Sequence, residues 1–213
     1  MGRVLEVTFP TLSRGVDRAT LKELYEEYLP LIEDAIKSWR MIYHKEKNSR
    51  RNNKESIGNR LGKEYIYGTV RPFFERLSPD DSRYIRTHRM IVFGMMEHSP
   101  SLKAVVLKAS GKKLAKLLLR EGIVRSLDDL PMVFIVQRIG LLDIVDESLN
   151  TMKVNIYECM SCFGMKPVFT PMCDFEAGII EGILEGLYGR NATIEKNCWG
   201  LGDHFCGFEV YFR

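Results

Sequence analysis

The sequence predicts an α+β protein: a helical N-terminal half followed by a small antiparallel sheet with packed helices. Three observations carry that prediction. Apolar residues recur at helical spacing through most of the first 120 positions. Beyond Gly140 the pattern changes to short β-type runs, ordered β-β-α-β-β. All five cysteines lie beyond residue 158, where the pattern places the ends of those runs.

Ala19 to Lys45 carries Leu21, Leu24, Tyr28, Leu31, Ile32, Ala35, Ile36, Trp39 and Ile42, one apolar stripe of a long helix that Pro30 is expected to kink or split. His44 to Lys54 holds five Lys/Arg and one Glu with paired asparagines, and reads as a solvated, mobile connector. A phosphate-contacting role is weaker there, because no aromatic residues interleave with the charges. From Ile57 to Lys116 the chain reads as helical, broken at Ser78-Pro79-Asp80-Asp81 and Ser99-Pro100-Ser101, with a helix after each break. The second runs from about Leu102 to Glu121, and its Gly111 is expected to serve close packing. His88 and His98 lack a matching partner in the sequence and receive no role.

Ser126 and Asp129 resemble a capping box opening a helix, which Gly140 is expected to close in a left-handed conformation. Leu141–Val145 and Val154–Tyr157 form a hairpin through Glu147-Ser148-Leu149-Asn150. Cys173 to Tyr188 returns to helical spacing, with Gly178, Gly182 and Gly186 on one face, where they let the helix approach a sheet closely. Ala192–Lys196 and Phe208–Phe212 supply the last two strands.

Composition excludes several classes. A chain of 213 residues, 45% hydrophobic and 28% charged, can bury one or two cores without disulfides. No apolar run approaches the ~20 residues of a membrane span, so no membrane role is expected. The start, Met1 to Glu6, has no long apolar stretch, and Glu6 stands where a myristoylation signal takes Ser or Thr, so neither an export signal nor a lipid anchor is expected. An odd cysteine count in such a chain points to a reducing compartment, the cytoplasm. Residues 1–125 hold 25 Lys/Arg against 15 Asp/Glu, net +10, and residues 126–213 hold 6 against 13, net −7. Nucleic acid is one partner for the basic half. Charge complementarity between the halves, or between two copies, is the simpler account.

Cys159-x-x-Cys162 can wrap two thiolates around one tetrahedral ion, and Cys173, Cys198 and Cys206 can complete it once the chain folds back; four of the five suffice. The Gly200-Leu201-Gly202-Asp203 turn brings Cys198 and Cys206 together across a hairpin. Structural Zn2+ is the leading reading, against an iron–sulfur cluster, a redox dithiol or unligated core thiols.

Tyr157-Glu158-Cys159 with Cys162, Met172-Cys173-Asp174-Phe175-Glu176-Ala177-Gly178, and the run from Cys198-Trp199-Gly200 to Cys206-Gly207-Phe208-Glu209 resemble the vinyl-reductase domain family. That family is named for a bacteriochlorophyll-biosynthesis protein and also forms the sensory domains of phenol-responsive activators. The resemblance covers about residues 100–213, dividing the chain into a helical region 1–98 and a ligand-binding domain 99–213. It implies a fold related to nitric-oxide-sensing and vesicle-tethering domains, a homodimer, and a zinc beside a pocket for a small apolar or aromatic ligand. It maps metal ligands onto Cys173, Cys198 and Cys206, and in the phenol sensors the fourth is an upstream glutamate, so Glu158 competes here with Cys159 and Cys162. Cys162 is the expected fourth, because it lies past the strand where a loop can turn inward and an all-thiolate site is common for structural zinc.

Three functions follow. The first is a cytoplasmic, zinc-stabilised module that binds or senses a small apolar molecule in a pocket between the second-half sheet and the glycine-lined helix. The second is a reductase, or reductase subunit, acting on a vinyl or tetrapyrrole substrate. The sequence shows neither a Gly-x-Gly-x-x-Gly dinucleotide loop nor a nucleophile–base pair, so enzymatic activity is less expected. The third is a zinc-stabilised nucleic-acid adaptor.

Overall fold

The computed structural model describes residues 17–49, 51 and 61–213. It has the predicted α+β architecture. Helix α1 (Arg18–Glu46) starts at Asp17, whose Oδ1 accepts from the Thr20 backbone N–H at 2.8 Å. It runs through Pro30 as one helix, so of the two expected outcomes the split does not occur. Pro30 and Glu26 both face solvent, so the Glu26 carbonyl that loses its helical donor can be satisfied by water. His44–Glu46 belong to this helix rather than to a connector, and residues 50 and 52–54 lie outside the described ones.

Short helices α2 (Lys63–Tyr67) and α3 (Pro72–Leu77) lead to α4 (Asp81–His98) and α5 (Pro100–Arg120), which follow the two predicted breaks. Pro72 and Pro100 occupy first-turn positions, where a missing N–H costs nothing. Helix α6 (Asp129–Val136) begins where Asp129 Oδ2 accepts from the N–H groups of Arg125 and Ser126 at 2.8 and 3.2 Å. The left-handed residue after it is Arg138, at φ 51°, and not Gly140. Gly140 serves close approach instead, since an added Cβ would stand 2.4 Å from Ile156 Cγ2.

Strands β1 (Leu141–Glu147) and β2 (Thr151–Tyr157) form the expected hairpin. After α7 (Asp174–Tyr188), β3 (Asn191–Asn197) and β4 (Cys206–Phe212) complete an antiparallel sheet of order β1-β2-β4-β3. Strand alternation sorts the side chains onto two faces. Leu142, Val154, Ile156, Phe208 and Val210 share a core with Ile179, Ile180 and Ile183 of α7. Leu141 and Tyr157 point the other way, into a second core with Ile32 of α1 and Phe73, Phe74 and Leu77 of α3.

The glycine face of α7 meets α5, not the sheet. A Cβ at Gly178 would stand 2.2 Å from the Lys108 carbonyl, and one at Gly111 would stand 2.2 Å from that of Phe175, so the two helix backbones touch. The reason lies in the helical period: Ile179, Ile180 and Ile183 form the stripe that covers the sheet, which leaves the glycines for the opposite stripe.

Part of the charge asymmetry is met within the chain. Cations of the first half pair with acids of the second: Arg18 with Asp129, Arg40 with Asp143, Lys103 with Asp174, and Lys108 and Lys112 with Glu181, all within 2.5–2.7 Å.

Candidate metal centre and adjoining cavity

All five cysteines are fully buried at one end of the sheet, each at an element end as the sequence predicts. Cys159 and Cys162 follow β2, Cys173 precedes α7, Cys198 follows β3, and Cys206 opens β4. Their sulfurs crowd together: Cys162 to Cys206 at 3.1 Å, Cys162 to Cys173 at 3.2 Å, Cys159 to Cys173 at 3.5 Å, Cys173 to Cys206 at 3.6 Å and Cys173 to Cys198 at 3.8 Å. A tetrahedron with ~2.3 Å metal–sulfur arms has edges of about 3.8 Å, so the thiols sit at or slightly inside the spacing an ion would set. The donor set fits a thiophilic metal.

Two groups of four donors close within 4.8 Å: Cys159, Cys162, Cys173 and Cys206, and Cys173, Glu195, Cys198 and Cys206. The quartet expected from the sequence, Cys162, Cys173, Cys198 and Cys206, is divided between them. Of its alternatives, Cys159 lies in the first group. The Glu158 carboxylate is engaged by Trp39 Nε1 at 3.1 Å and by the Phe73 backbone N–H at 2.9 Å.

Glu195 was not foreseen. Its Oε2 accepts from the Cys173 N–H at 3.1 Å, while its buried Oε1 has no hydrogen-bond partner among the described residues. The signal was present as Glu195-x-x-Cys198, but inside an alternating polar strand it reads as a solvent-facing residue.

Burial pushes all five thiols upward. Hydrogen bonds from Cys162, Cys173, Cys206 and Glu176 nevertheless hold Cys159 well below the ordinary thiol range, and those from Cys162, Cys173, Cys206 and Glu195 do the same for Cys198. Cys162, Cys173 and Cys206 stay well above it. Burial, with the neighbouring Cys159 or Cys198 charge, also raises Glu176 and Glu195. A site that ionises only by sharing protons among its members suits a cation, which can hold several thiolates at once.

The loops bearing these donors have irregular buried backbone, and its carbonyls need partners. First-half cations supply them. Arg89, fully buried, donates to the carbonyls of Met160 at 2.9 Å and Phe163 at 2.8 Å, and Tyr65 Oη donates to that of Ser161 at 2.8 Å. Arg71 donates to the Glu158 and Arg138 carbonyls at 2.9 Å and pairs with Asp81 at 2.5 Å.

Arg51 donates to the carbonyls of Met165 and Trp199, and its guanidinium lies 4.3 Å from the Trp199 ring centre. It therefore clasps both cysteine-bearing loops, which corrects the reading of Arg51 as part of a solvated connector. His88 also acquires a partner, Ser161 Oγ at 2.9 Å. Burial lowers this histidine's pKa to about 4, so it stays neutral near pH 7.

Beside the cluster lies a cavity of about 290 Å³, walled by Leu31, Ala35, Trp39, Phe73 and Leu77 with Glu158 in its lining. Only Glu158 among its lining residues comes from the second half. Between the sheet and α7, isoleucines fill the centre and α5 covers the glycines, so what the described residues leave there is an open pocket at the end away from the cysteines, lined by Met152, Tyr188 and Phe212, and not the one expected beside the metal site. Burial raises the Glu158 pKa against the opposing pull of the Phe73 N–H, Trp39 and Arg71.

Residues 152–212 match the family model of the V4R domain. An uncharacterized protein of Methanocaldococcus jannaschii is 43% identical over 74 residues, 34% of this chain and 45% of that protein. The chain spans under half the length of the curated relatives it matches. Among solved structures, the phenol-responsive sensory domain of the transcription activator PoxR, crystallised with phenol, superposes with a TM-score of 0.50 at 14% identity, covering 60% of this chain and 73% of that one. That likeness establishes the shared fold. A vinyl-4-reductase family protein from Methanocaldococcus jannaschii gives a TM-score of 0.43 at 20% identity, covering 70% and 87%. The segment that matches the V4R domain model, Met152 to Phe212, holds three of the four strands, helix α7 and all five cysteines.

Proposed function

We propose that this chain is a zinc-stabilised module that binds a small apolar or aromatic molecule in the cavity between α1 and α3. The observation that carries the reading is the join between cavity and cluster: Glu158 lines the one and Cys159, the next residue, belongs to the other. An ion holding Cys159 and its neighbours fixes the backbone on which Glu158 stands, at φ 51°, and so fixes a buried carboxylate in a cavity that Asp34, Ser38 and Arg76 also line. Zinc here is a structural ion bound by a closed donor set, with no role in turnover. The PoxR sensory domain, which shares the fold, was crystallised with phenol, and that supports an aromatic ligand here.

Glu158 sets the ligand's chemistry. Its carboxylate already accepts from Trp39 and Phe73, and a ligand carrying one hydroxyl can donate to a remaining lone pair while its ring packs on Trp39 and Phe73. The reading keeps a cytoplasmic homodimer. Leu102, Val105 and Leu117, exposed along α5, are the apolar side chains such a contact covers, and light scattering tests it.

Titration of the metal-loaded protein with phenol and benzene, followed by Trp fluorescence and calorimetry, tests the ligand reading. Binding of phenol, weaker binding of benzene, and loss of both in Ala35→Trp at unchanged metal content are expected. No response to either molecule in the wild type, or full binding by Ala35→Trp, rejects it.

A further inference from the structure

We propose that the cysteine cluster holds two divalent ions, sharing Cys173 and Cys206 as bridging thiolates. The inference rests on the metal-binding reading above and goes beyond it in stoichiometry and in the role of each residue.

Each of the two donor groups contains the four ligands one tetrahedral ion needs, and each closes on its own within 4.8 Å. They have two members in common, Cys173 and Cys206, whose sulfurs stand 3.6 Å apart. Two tetrahedra that share an edge have this arrangement: the common pair forms the edge, Cys159 and Cys162 complete one side, and Cys198 and Glu195 complete the other. Sharing is confined to Cys173 and Cys206, because the five thiols do not merge into one group.

A single ion accounts for the site less well. It takes four donors and leaves two of the six unligated, in a place where every cysteine is fully buried and the Glu195 Oε1 atom is buried with no hydrogen-bond partner among the described residues. With one ion on the first group, Glu195 and Cys198 are left over; with one on the second, Cys159 and Cys162 are. Two ions use all six donors. The charge balance points the same way: five thiolates and one carboxylate carry six negative charges, which two divalent ions reduce to two. A single ion leaves four, or requires thiols to stay protonated. Arg89, held against the Met160 and Phe163 carbonyls beside the first group, offsets part of the remainder.

The test is metal stoichiometry, with cobalt(II) as the probe. Full-length protein, stripped of metal under reducing, anaerobic conditions, is titrated with cobalt while thiolate-to-cobalt charge-transfer absorption is followed, and the endpoint is checked by elemental analysis. The proposal expects absorption to rise until two equivalents are bound. It also expects Cys162→Ser and Cys198→Ser each to bind one equivalent, since each removes a terminal ligand from one side only. Circular dichroism checks that both variants stay folded.

A wild-type endpoint at one equivalent overturns the two-ion proposal and leaves the metal-binding reading standing. An endpoint at one equivalent combined with loss of all metal in one variant and none in the other overturns it as well, and identifies the single ligand set. Absence of any bound metal overturns both.

Discussion

On one face of the sheet, α7 lays Ile179, Ile180 and Ile183 against Val154, Ile156 and Phe208, and α5 then closes on α7 with glycine against backbone. On the other face, α1 meets a surface that is partly polar. Arg40 donates to both Asp143 oxygens at 2.8 and 2.5 Å, Tyr157 Oη donates to Asp143 at 3.2 Å, and Trp39 Nε1 donates to Glu158 at 3.1 Å. Apolar surfaces gain from every contact and close until backbones touch. Directed hydrogen bonds hold their partners at fixed separations instead. The polar face therefore retains the cavity that Trp39 and Glu158 line, and the apolar face bears the closest packing. The cavity lined by Glu158 sits where the covering helix is hung from polar groups.

The most severe way to break this contrast is to wedge the closed face apart. Gly178→Ala places a methyl 2.2 Å from the Lys108 carbonyl, a backbone atom that cannot swing away as a side chain can. The expected cost is about 3 kcal/mol or more, read as a lowered urea midpoint of the metal-loaded protein. Gly94→Ala in α4 is the control: nothing lies within 4 Å of the added carbon, and the helix gains up to about 1 kcal/mol from the better helix former. If both changes leave the midpoint where it was, the helices do not touch as described.

The polar face should yield more gently. Trp39→Phe keeps an aromatic ring but takes the indole donor from Glu158, a residue 1% exposed. A buried carboxylate deprived of one partner costs about 1–3 kcal/mol. The Phe73 N–H still serves it, so the lower end is expected, together with weakened phenol binding. An unchanged midpoint combined with unchanged phenol affinity removes Glu158 and Trp39 from the site.

Much of this layout was legible in the sequence, because periodicity reports which face of an element is apolar. It does not report what covers that face. The Gly178-Gly182-Gly186 stripe announces close approach, yet the same spacing suits a sheet or a helix. Only Gly111, 67 positions earlier, marks the partner, and nothing local links the two.

The cysteines were legible because their chemistry is narrow. Glu195 was not, since an acid on an alternating strand is usually solvated. Arg51, Arg71 and Arg89 were hidden for a similar reason: each looks like surface charge until the irregular loops between β2 and α7 and between β3 and β4 present carbonyls for it to bind. The basic character of the first half was visible as a net charge. Its use as a clamp on the second half needed three-dimensional placement.

The smallest expected effect sharpens the contrast by asking how the polar face responds to protons. Asp129 ties α1 to the start of α6: Arg18 pairs with it at 2.7 Å, and the N–H groups of Arg125 and Ser126 donate to it. Burial alone would raise its pKa, but these partners outweigh burial and hold it below the usual aspartate value. A carboxylate whose folded pKa lies below its unfolded one contributes stability that is present above the unfolded pKa, near 4, and is lost as pH falls through the folded pKa.

Asp129→Asn keeps the shape and an acceptor oxygen but not the charge. The Arg18 side chain is 28% exposed, so solvent screens part of the pair, and the variant should be less stable at pH 7 by about 1 kcal/mol. That gap should narrow below about pH 4, because only the wild type has a carboxylate to protonate there. Acid also strips thiolate-bound metal, from both proteins alike, so the difference between their urea midpoints isolates Asp129. A gap that stays constant from pH 7 to pH 3 would show that Asp129 acts as a neutral cap, and that the charge pairing of α1 contributes nothing to the face holding the cavity.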